Sequence, residues 1–415
     1  MITDVAYVAM HSSPLVQPGS GDSGGMNVYL DQLARTMAGR GISVTTFTRR
    51  TSVINPTVVE VTDRYRVVHI DAGPVGTMTL GDMKAHVPAF AAGVIDWIDG
   101  AGAKFDLVHS HYWLSGRTGV RVKNVYGIPL ANSFHTLGRV KDRVRRPGES
   151  PSSVTRLLTE EEVIANADCV IASTPYEFED LLEHYGASPE RLCVSPPGVD
   201  HAVFRPSSRS MARNRLDLGR EPIVLYAGRI QPHKGTAVAV DAYARLRATL
   251  DPSIGTPRMI IVGGASGPDG AAEVAACRKI ATREGVLDGI SRVAPVPHDV
   301  LADYYRAANL VIVPSRSESF GLVAAEAQAC GTPVVAANAG GLQYIVASCE
   351  SGLLVDRPNP DAFAAAMRAI LEHNEFARRL SEGAVAFSQR FSWDATAKRL
   401  LELYDGITGG DEPLG

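Results

Sequence analysis

Short runs of β-branched and apolar residues alternate with helical patterns along most of the chain, and this alternation restricts the fold more than any other feature. In the first half the runs are VAYVAM (5–10), ISVTTFT (42–48), YRVVHI (65–70), LVHS (107–110), PLANSF (129–134), CVIAS (169–173) and LCVSP (192–196). In the second half they are PIVLYAG (222–228), RMIIVGG (258–264), LVIVPS (310–315), PVVAA (333–337) and LLVD (353–356). Most are continuously apolar, as strands buried on both faces are. Each half therefore reads as a parallel sheet built from strand–helix–strand units. The 415 residues exceed the ~250–300 at which one hydrophobic core stops growing, so two α/β domains are expected.

The stretch VSPPGVDHAVFRPSSRSMARN (194–214) is rich in Pro and Ser and has no apolar period. It marks the expected boundary, with a first domain over 1–200 and a second over 201–390. FSWDATAKRLLELYDGI (391–407) reads as an amphipathic helix with Ser392 as N-cap and Leu400, Leu401 and Tyr404 on one face; it is expected to pack back on the first domain. The tail TGGDEPLG has the composition of a disordered end. A net charge of −4 gives no electrostatic reason to expect nucleic acid or an anionic membrane as partner. No apolar run reaches the ~18–20 residues that span a bilayer. Cys169, Cys193, Cys277, Cys330 and Cys349 show no C-x-x-C spacing, which points away from a zinc site or a disulfide framework. With no charged leader ahead of VAYVAM, a reducing cytoplasm is the expected location.

Residues 17–27, QPGSGDSGGMN, contain a literal G-x-G-x-x-G from Gly19 to Gly24. A dinucleotide fingerprint sits at the tight turn directly after the first strand, with an acid about 20 residues further on to hold the ribose. Here HSSPLVQP separates the strand from Gly19, and no Asp or Glu occurs between Asp31 and Glu60. Strand two instead ends in Arg49-Arg50, which suits only a 2′-phosphate. The pattern fits a nicotinamide-dependent oxidoreductase poorly. It fits better a helix opening at Gly24-Gly25, with Met26, Leu30, Leu33 and Met37 on one face and Gly39 or Gly41 ending it. Backbone N–H groups at such a helix start suit an anionic ligand; a plain surface loop feeding a helix is the alternative.

AGRIQPHKG (227–235) sets Arg229 and Lys234 on one short loop at the carboxyl end of a strand, where open α/β sheets bind ligands. A guanidinium fork and an ammonium point charge there suit a diphosphate, and two solvated surface charges are the alternative. SRSESFGLVAAEAQACG (315–331) is read with Glu318 at the start of a helix and Glu326 two turns on. A wholly helical path between them rises ~12 Å, comparable to the reach from a ribose to a sugar across a diphosphate. Carboxylates at this spacing are common by chance, but ESFG, GTPVVA and Gly340-Gly341 accompany them.

Glu318 and Glu326, GRIQPHKG and PPGVDHAVFRP (196–206) together resemble the E-x7-E motif, phosphate loop and interdomain segment of the family-four retaining glycosyltransferases, over nearly the whole chain. The resemblance implies the GT-B fold: two Rossmann-like, doubly wound α/β domains facing across a cleft. It also implies a glycosyltransferase that takes a GDP- or UDP-sugar as co-substrate and requires no cofactor. The chain has no D-x-D to hold a metal on the diphosphate. Within the family, MHSSPLVQPGSGDSGGMNVYL, DLVHSHYWLSG and FGLVAAEAQACGTPVVAANAGGL resemble the branch that opens mycothiol biosynthesis, in which N-acetylglucosamine joins an inositol phosphate.

Carried over by position, the family's donor contacts fall on Gly24, Gly25, Arg229, Lys234, Glu318, Ser319, Phe320, Gly321 and Glu326. The resemblance implies that the Gly25 N–H and the two cations meet the diphosphate, that Glu318 orients the sugar and that Glu326 holds the ribose. The family's active-site histidine falls on His135 in NSFHTLGRV, where a histidine capping a buried strand is the alternative. The catalytic set implied is His135, Glu318, Arg229 and Lys234, none of them a covalent nucleophile, because retaining enzymes of this fold are thought to react on one face of the sugar. Acceptor contacts fall on Asn27, Tyr112, Thr136 and Arg156, with His11 nearby; His109 and His111, flanking Ser110, read as structural and not as metal ligands.

Two positions depart from the branch. Leu80 stands where it carries a lysine for the inositol phosphate, and Val296 where it carries an arginine near the donor base. These departures lead to the expectation of a specialised, non-phosphate anionic acceptor. The resemblance allows the lincosamide-pathway relative that moves an octose from a GDP-sugar to the sulfur of ergothioneine. Inositol phosphate with UDP-N-acetylglucosamine is the alternative within the family, and an NAD(P)-dependent oxidoreductase the alternative outside it. The expected partners are small molecules, with no nucleic acid and no membrane; a homodimer is left open.

Overall fold

The computed structural model describes residues 2–17, 19, 23–267, 269–356 and 359–409, so Ser20, Gly21 and Asp22 of the glycine loop and the tail from Gly410 lie outside the described residues. The chain divides into two compact units, Met1–Val16 with Met26–Pro196 and Trp393–Gly415, and Gln17–Gly25 with Pro197–Ser392. Each is a Rossmann-like α/β domain.

The sheet of the first unit is formed by β1 (Asp4–Val8), β2 (Ser43–Arg49), β3 (Val58–Thr62), β4 (Tyr65–Ile70), β5 (Leu107–His111), β6 (Leu130–Ser133), β7 (Cys169–Ala172) and β8 (Leu192–Val194). Their order is β3-β4-β2-β1-β5-β6-β7-β8, parallel except where β3 pairs with β4. In β1, Val5, Ala6, Tyr7 and Val8 are all buried, which is why that run is continuously apolar. The helix Gly25–Gly39 buries Leu30, Leu33 and Met37 against the sheet. The closing helix Trp393–Gly409 belongs to the same unit and buries Trp393, Leu400, Leu403 and Tyr404. Leu403 thus takes the inward place that the sequence pattern gave to Leu401.

The second unit holds β9 (Ile223–Ala227), β10 (Arg258–Val262), β11 (Ile290–Val293), β12 (Leu310–Val313), β13 (Val334–Ala337) and β14 (Gly352–Val355), all parallel, in the order β11-β10-β9-β12-β13-β14. Two strands have no counterpart among the apolar runs. Both β3 and β11 are edge strands with no fully buried residue, so neither needs a continuous apolar run.

The stretch 194–214 runs into the helix Arg209–Arg215, with Ser208 as its N-cap, too short to display an apolar period. Arg213 in that helix is buried and donates to Ala307 O, Gly219 O and Asn309 Oδ1, which fixes the segment against the second unit. One reading is corrected, that of Glu318. The helix that carries Glu326 begins only at Leu322, because Gly321 at φ 107 leaves the right-handed region, and Glu318 stands on the loop before it.

In each sheet the chain reverses its direction of winding once, between β1 and β5 and between β9 and β12. Open α/β sheets bind ligands at the carboxyl ends of the strands beside such a switch point. Of the residues singled out above, His11 follows β1, Tyr112 follows β5, Arg229 and Lys234 follow β9 and Glu318 follows β12, whereas His135 and Thr136 follow β6 and Arg156 and Glu326 stand on helices.

Candidate functional site

In the second unit the loop after β9 carries Arg229 and a short 3₁₀ turn, Pro232–Lys234. Gly235 follows at φ 72, where an added Cβ would lie 2.2 Å from Pro314 O, so only glycine lets this loop run past the end of β12. The turn delivers Lys234 to Glu318: Nζ and Oε2 are 2.7 Å apart, both side chains about a fifth exposed. The backbone of Glu318 is held as well. Gly341 N donates to Glu318 O at 2.7 Å, and a Cβ on Gly340 would lie 2.4 Å from that same oxygen. The Gly340-Gly341 pair therefore serves a close backbone approach that fixes the ESFG loop.

Gly24 and Gly25 pack with this unit. A Cβ on Gly24 would lie 3.1 Å from Arg229 Nε, so the glycine leaves room for the guanidinium. The side chain of Phe320 turns away from the loop surface. Its ring is buried against Phe391 with centroids 5.5 Å apart, which leaves the backbone of Phe320, and not its ring, to meet a ligand. Glu326 is buried on the helix Leu322–Ala329 and accepts a hydrogen bond from Tyr305 Oη at 3.0 Å. Burial pushes its pKa up to about 8, with the Tyr305 bond working in the opposite sense, so the carboxyl is mainly protonated at neutral pH. Val296 packs against the core of this unit, and its carbonyl accepts from Gln17 Nε2 at 2.9 Å.

In the first unit the loops after β1, β5 and β6 carry the other group. The rings of His11 and Tyr112 lie 4.4 Å apart. Tyr112 has φ 79 and His135 φ 60, two of the four non-glycine residues with positive φ among the described residues. Such backbone costs on the order of 1–3 kcal/mol per residue and gathers at functional sites. Asn27 donates through Nδ2 to Ser12 Oγ and Ser13 O, both at 2.6 Å, and so holds the loop after β1.

Arg156 lies on the helix Val154–Asn166, capped by Ser153. Its Nε donates to Glu160 Oε1 at 2.7 Å, and its Nη2 donates to Thr136 O at 2.9 Å and to Thr136 Oγ1 at 3.2 Å. The guanidinium stands 5.3 Å over the Tyr112 ring, a cation–π distance. Burial works against its charge, but Tyr112 and Glu160 outweigh burial and hold the side chain cationic. Glu160 is fully buried and also accepts from Gly138 N and Tyr185 Oη, so the anchor of Arg156 is itself fixed. Tyr112, Thr136 and Arg156 therefore meet at one place.

His109 bonds Tyr404 Oη through Nδ1 at 2.6 Å and Ser133 Oγ through Nε2 at 3.0 Å, joining β5 to β6 and to the closing helix. His135 bonds His111, with Nε2 and Nδ1 3.0 Å apart, and burial holds its pKa down to about 3. Among the described residues no group of three or more His, Cys, Asp or Glu side chains is placed to hold a metal ion. Leu80 opens the short helix Leu80–Met83 behind the N-cap Thr79, half-buried on the core, while Lys84 is exposed.

Sequence reasoning overlooked Glu160, Tyr185, Tyr305 and Tyr404. Glu160 carried a usable signal, being four residues after Arg156 on one helix. The tyrosines carried none, since each meets its partner only after the chain has folded.

Two doubly wound domains, each with polar and charged side chains gathered at its switch point, have the construction of a GT-B glycosyltransferase. Residues 24–198 match the family described as the glycosyl transferase 4-like domain, and residues 209–387 match glycosyl transferases group 1. The chain belongs to the group 1 glycosyltransferases, enzymes that use nucleotide sugars. Two relatives are named D-inositol 3-phosphate glycosyltransferase. The one from Thermomonospora curvata is 42% identical over 98% of this chain and 96% of its own. The one from Xylanimonas cellulosilytica is 44% identical over 97% of each. Among solved structures, a sucrose-phosphate synthase from Thermosynechococcus elongatus is 33% identical, covers 99% of this chain and 100% of its own, and superposes with a TM-score of 0.90. Membership of this family overturns the oxidoreductase alternative. Among the described residues no helix is long and apolar enough to cross a membrane.

Proposed function

We propose that the protein is a retaining, family-four glycosyltransferase that moves a sugar from a nucleoside-diphosphate sugar to an inositol phosphate without a metal ion. For the acceptor, the relatives' name supports inositol phosphate above the ergothioneine reading favoured from the sequence. For the donor, the observation that carries the reading is the Lys234–Glu318 pair beside Arg229 at the switch point of the second unit.

In this reading Arg229 and Lys234 take the diphosphate and neutralise the charge that grows on the leaving phosphate as the glycosidic bond breaks. Glu318, bonded to Lys234, keeps the ammonium in place and offers its second oxygen to a sugar hydroxyl. Arg156 and Thr136 take the acceptor's anion. The leaving phosphate receives the acceptor's proton on the same face, so the anomeric configuration is kept and no side chain forms a covalent intermediate.

A second reading is favoured by one observation, the apolar Leu80 at the position of the branch's phosphate-binding lysine. An acceptor with a single negative charge, such as the carboxylate of a betaine, needs only Arg156. One experiment separates the readings. The protein is incubated with UDP-N-acetylglucosamine or a GDP-sugar against inositol 3-phosphate or ergothioneine, and the products are read by mass spectrometry and by the anomeric coupling in NMR. Product from inositol 3-phosphate with retained configuration supports the proposal. Product from ergothioneine alone, or inverted configuration, overturns it.

A further inference from the structure

His111 is the last residue of β5 and is fully buried. Four aromatic rings surround it: Tyr7 of β1 and Tyr29 of the helix Gly25–Gly39 at 5.3 and 5.7 Å, His109 at 4.1 Å and His135 at 5.3 Å. His135 comes from the loop after β6, and its left-handed backbone accompanies a ring stacked on His111 at an interplanar angle of 21°. Their one hydrogen bond joins His111 Nδ1 to His135 Nε2 at 3.0 Å. The other nitrogen of His111, Nε2, is buried and has no hydrogen-bond partner among the described residues.

These facts fix where the protons are. Burial first, then the neighbouring His109 and His135, hold His111 well below the usual imidazole range, so it is neutral and carries one N–H. A proton on Nε2 would be a buried donor with nothing to bond, the rarer and costlier kind of orphan. A proton on Nδ1 makes the bond to His135 and leaves only a lone pair unmet. His111 is then the donor and His135 Nε2 the acceptor. His135, also neutral, must carry its own proton on Nδ1.

We propose that His111 is a positioning residue that fixes His135 as its Nδ1–H tautomer, making His135 a hydrogen-bond donor and closing both of its nitrogens to proton acceptance. The inference rests on the reading of His135 as a site residue. It deepens that reading, because it gives the reason why this histidine serves neither as general base nor as nucleophile.

The test is a long-range ¹H–¹⁵N correlation on histidine-labelled protein at neutral pH, with initial rates, for the unsubstituted protein, H111N and H111L. The H111N amide nitrogen stands where Nδ1 stood and retains the donor; H111L removes it. The expected result is a protonated Nδ1 and a bare Nε2 on His135 in the unsubstituted protein and in H111N. In H111L that pattern is lost, kcat falls about tenfold or more and the donor KM stays within about twofold, as expected when a histidine loses the partner that orients it. A protonated Nε2 on His135 in the unsubstituted protein, or an unchanged tautomer in H111L, overturns the proposal. H135A with full activity overturns instead the reading of His135 as a site residue, and the tautomer result stands apart from it.

Discussion

Lys234 Nζ and Glu318 Oε2 meet at 2.7 Å although 84 residues separate them in the chain. The two glycines that bring them together, Gly235 and Gly340, each tolerate a backbone approach closer than any Cβ allows. A pair only about a fifth exposed gains little net stability once the cost of desolvating both charges is counted, so its exact placement is better explained by a ligand. K234A and E318A should each lower kcat/KM by about tenfold or more while thermal unfolding is little changed. The double variant should lose less than the product of the two, because the residues act as one unit. Unchanged turnover in K234A would remove the diphosphate from this loop.

Arg156 and Glu160 lead to a different kind of effect. E160Q keeps the size of the side chain but removes the charge that steadies the guanidinium, so the acceptor KM should rise about tenfold with the donor KM unmoved. Steady-state kinetics with each substrate varied in turn decides it. Equal rises in both KM values would mean that Glu160 supports the domain as a whole and not the acceptor end.

Glu326 should report donor binding through a proton. Burial pushes its carboxyl up to about 8, against an ordinary value of 4.5. Ribose hydroxyls donate to a carboxylate better than to a carboxyl group, so binding of a nucleoside diphosphate at pH 7 should release close to one proton. Calorimetry in buffers of different ionisation enthalpy measures that number, and E326Q should abolish it. The same shift carries a sign for stability. Between about 4.5 and 8 the folded state holds a proton that the unfolded chain loses, so stability falls as pH rises, by up to about 1.4 kcal/mol per pH unit. E326Q should lose that slope. No proton release would place the ribose elsewhere.

The fold was legible because a strand buried on both faces must be apolar throughout, as in Val5–Val8 of β1 and Leu310–Val313 of β12. Edge strands such as β3 and β11 escape that demand and left no trace. The charged residues of the candidate site stand in recognisable motifs, yet their geometry was not legible. Glu318 looked like the first residue of a helix because nothing in SESFGL shows that Gly321 takes a positive φ. The Phe320 ring turned inward to meet Phe391, a partner far along the chain. The protonation of Glu326 and of the three histidines depends on burial, which no local pattern records.

Leu80 offers the sharpest test of the acceptor. The loop before it is tied down by the buried Arg49, which donates to Pro74 O at 2.8 Å and to Gly76 O, and Thr79 caps the short helix that Leu80 opens. A lysine at this position would thus leave a fixed backbone and would not have to order a loop of its own. Replacing the half-buried leucine forfeits part of the ~1.5–3 kcal/mol that full burial of its side chain gives. A charge-assisted contact to a phosphate gains about 1.5–3 kcal/mol, which is of the same size but appears only when that acceptor is bound. L80K should therefore melt slightly lower than the unsubstituted protein and yet bind inositol 3-phosphate about tenfold more tightly, with no gain for a carboxylate acceptor. Matched acceptor titrations of the two proteins settle the point. A gain shared by both acceptors would mean that the lysine acts through the general field and does not contact the phosphate. No gain for either would mean that the loop after Pro74 takes a different path from that of the inositol phosphate enzymes, and the acceptor would then have to be sought among molecules that Arg156 holds alone.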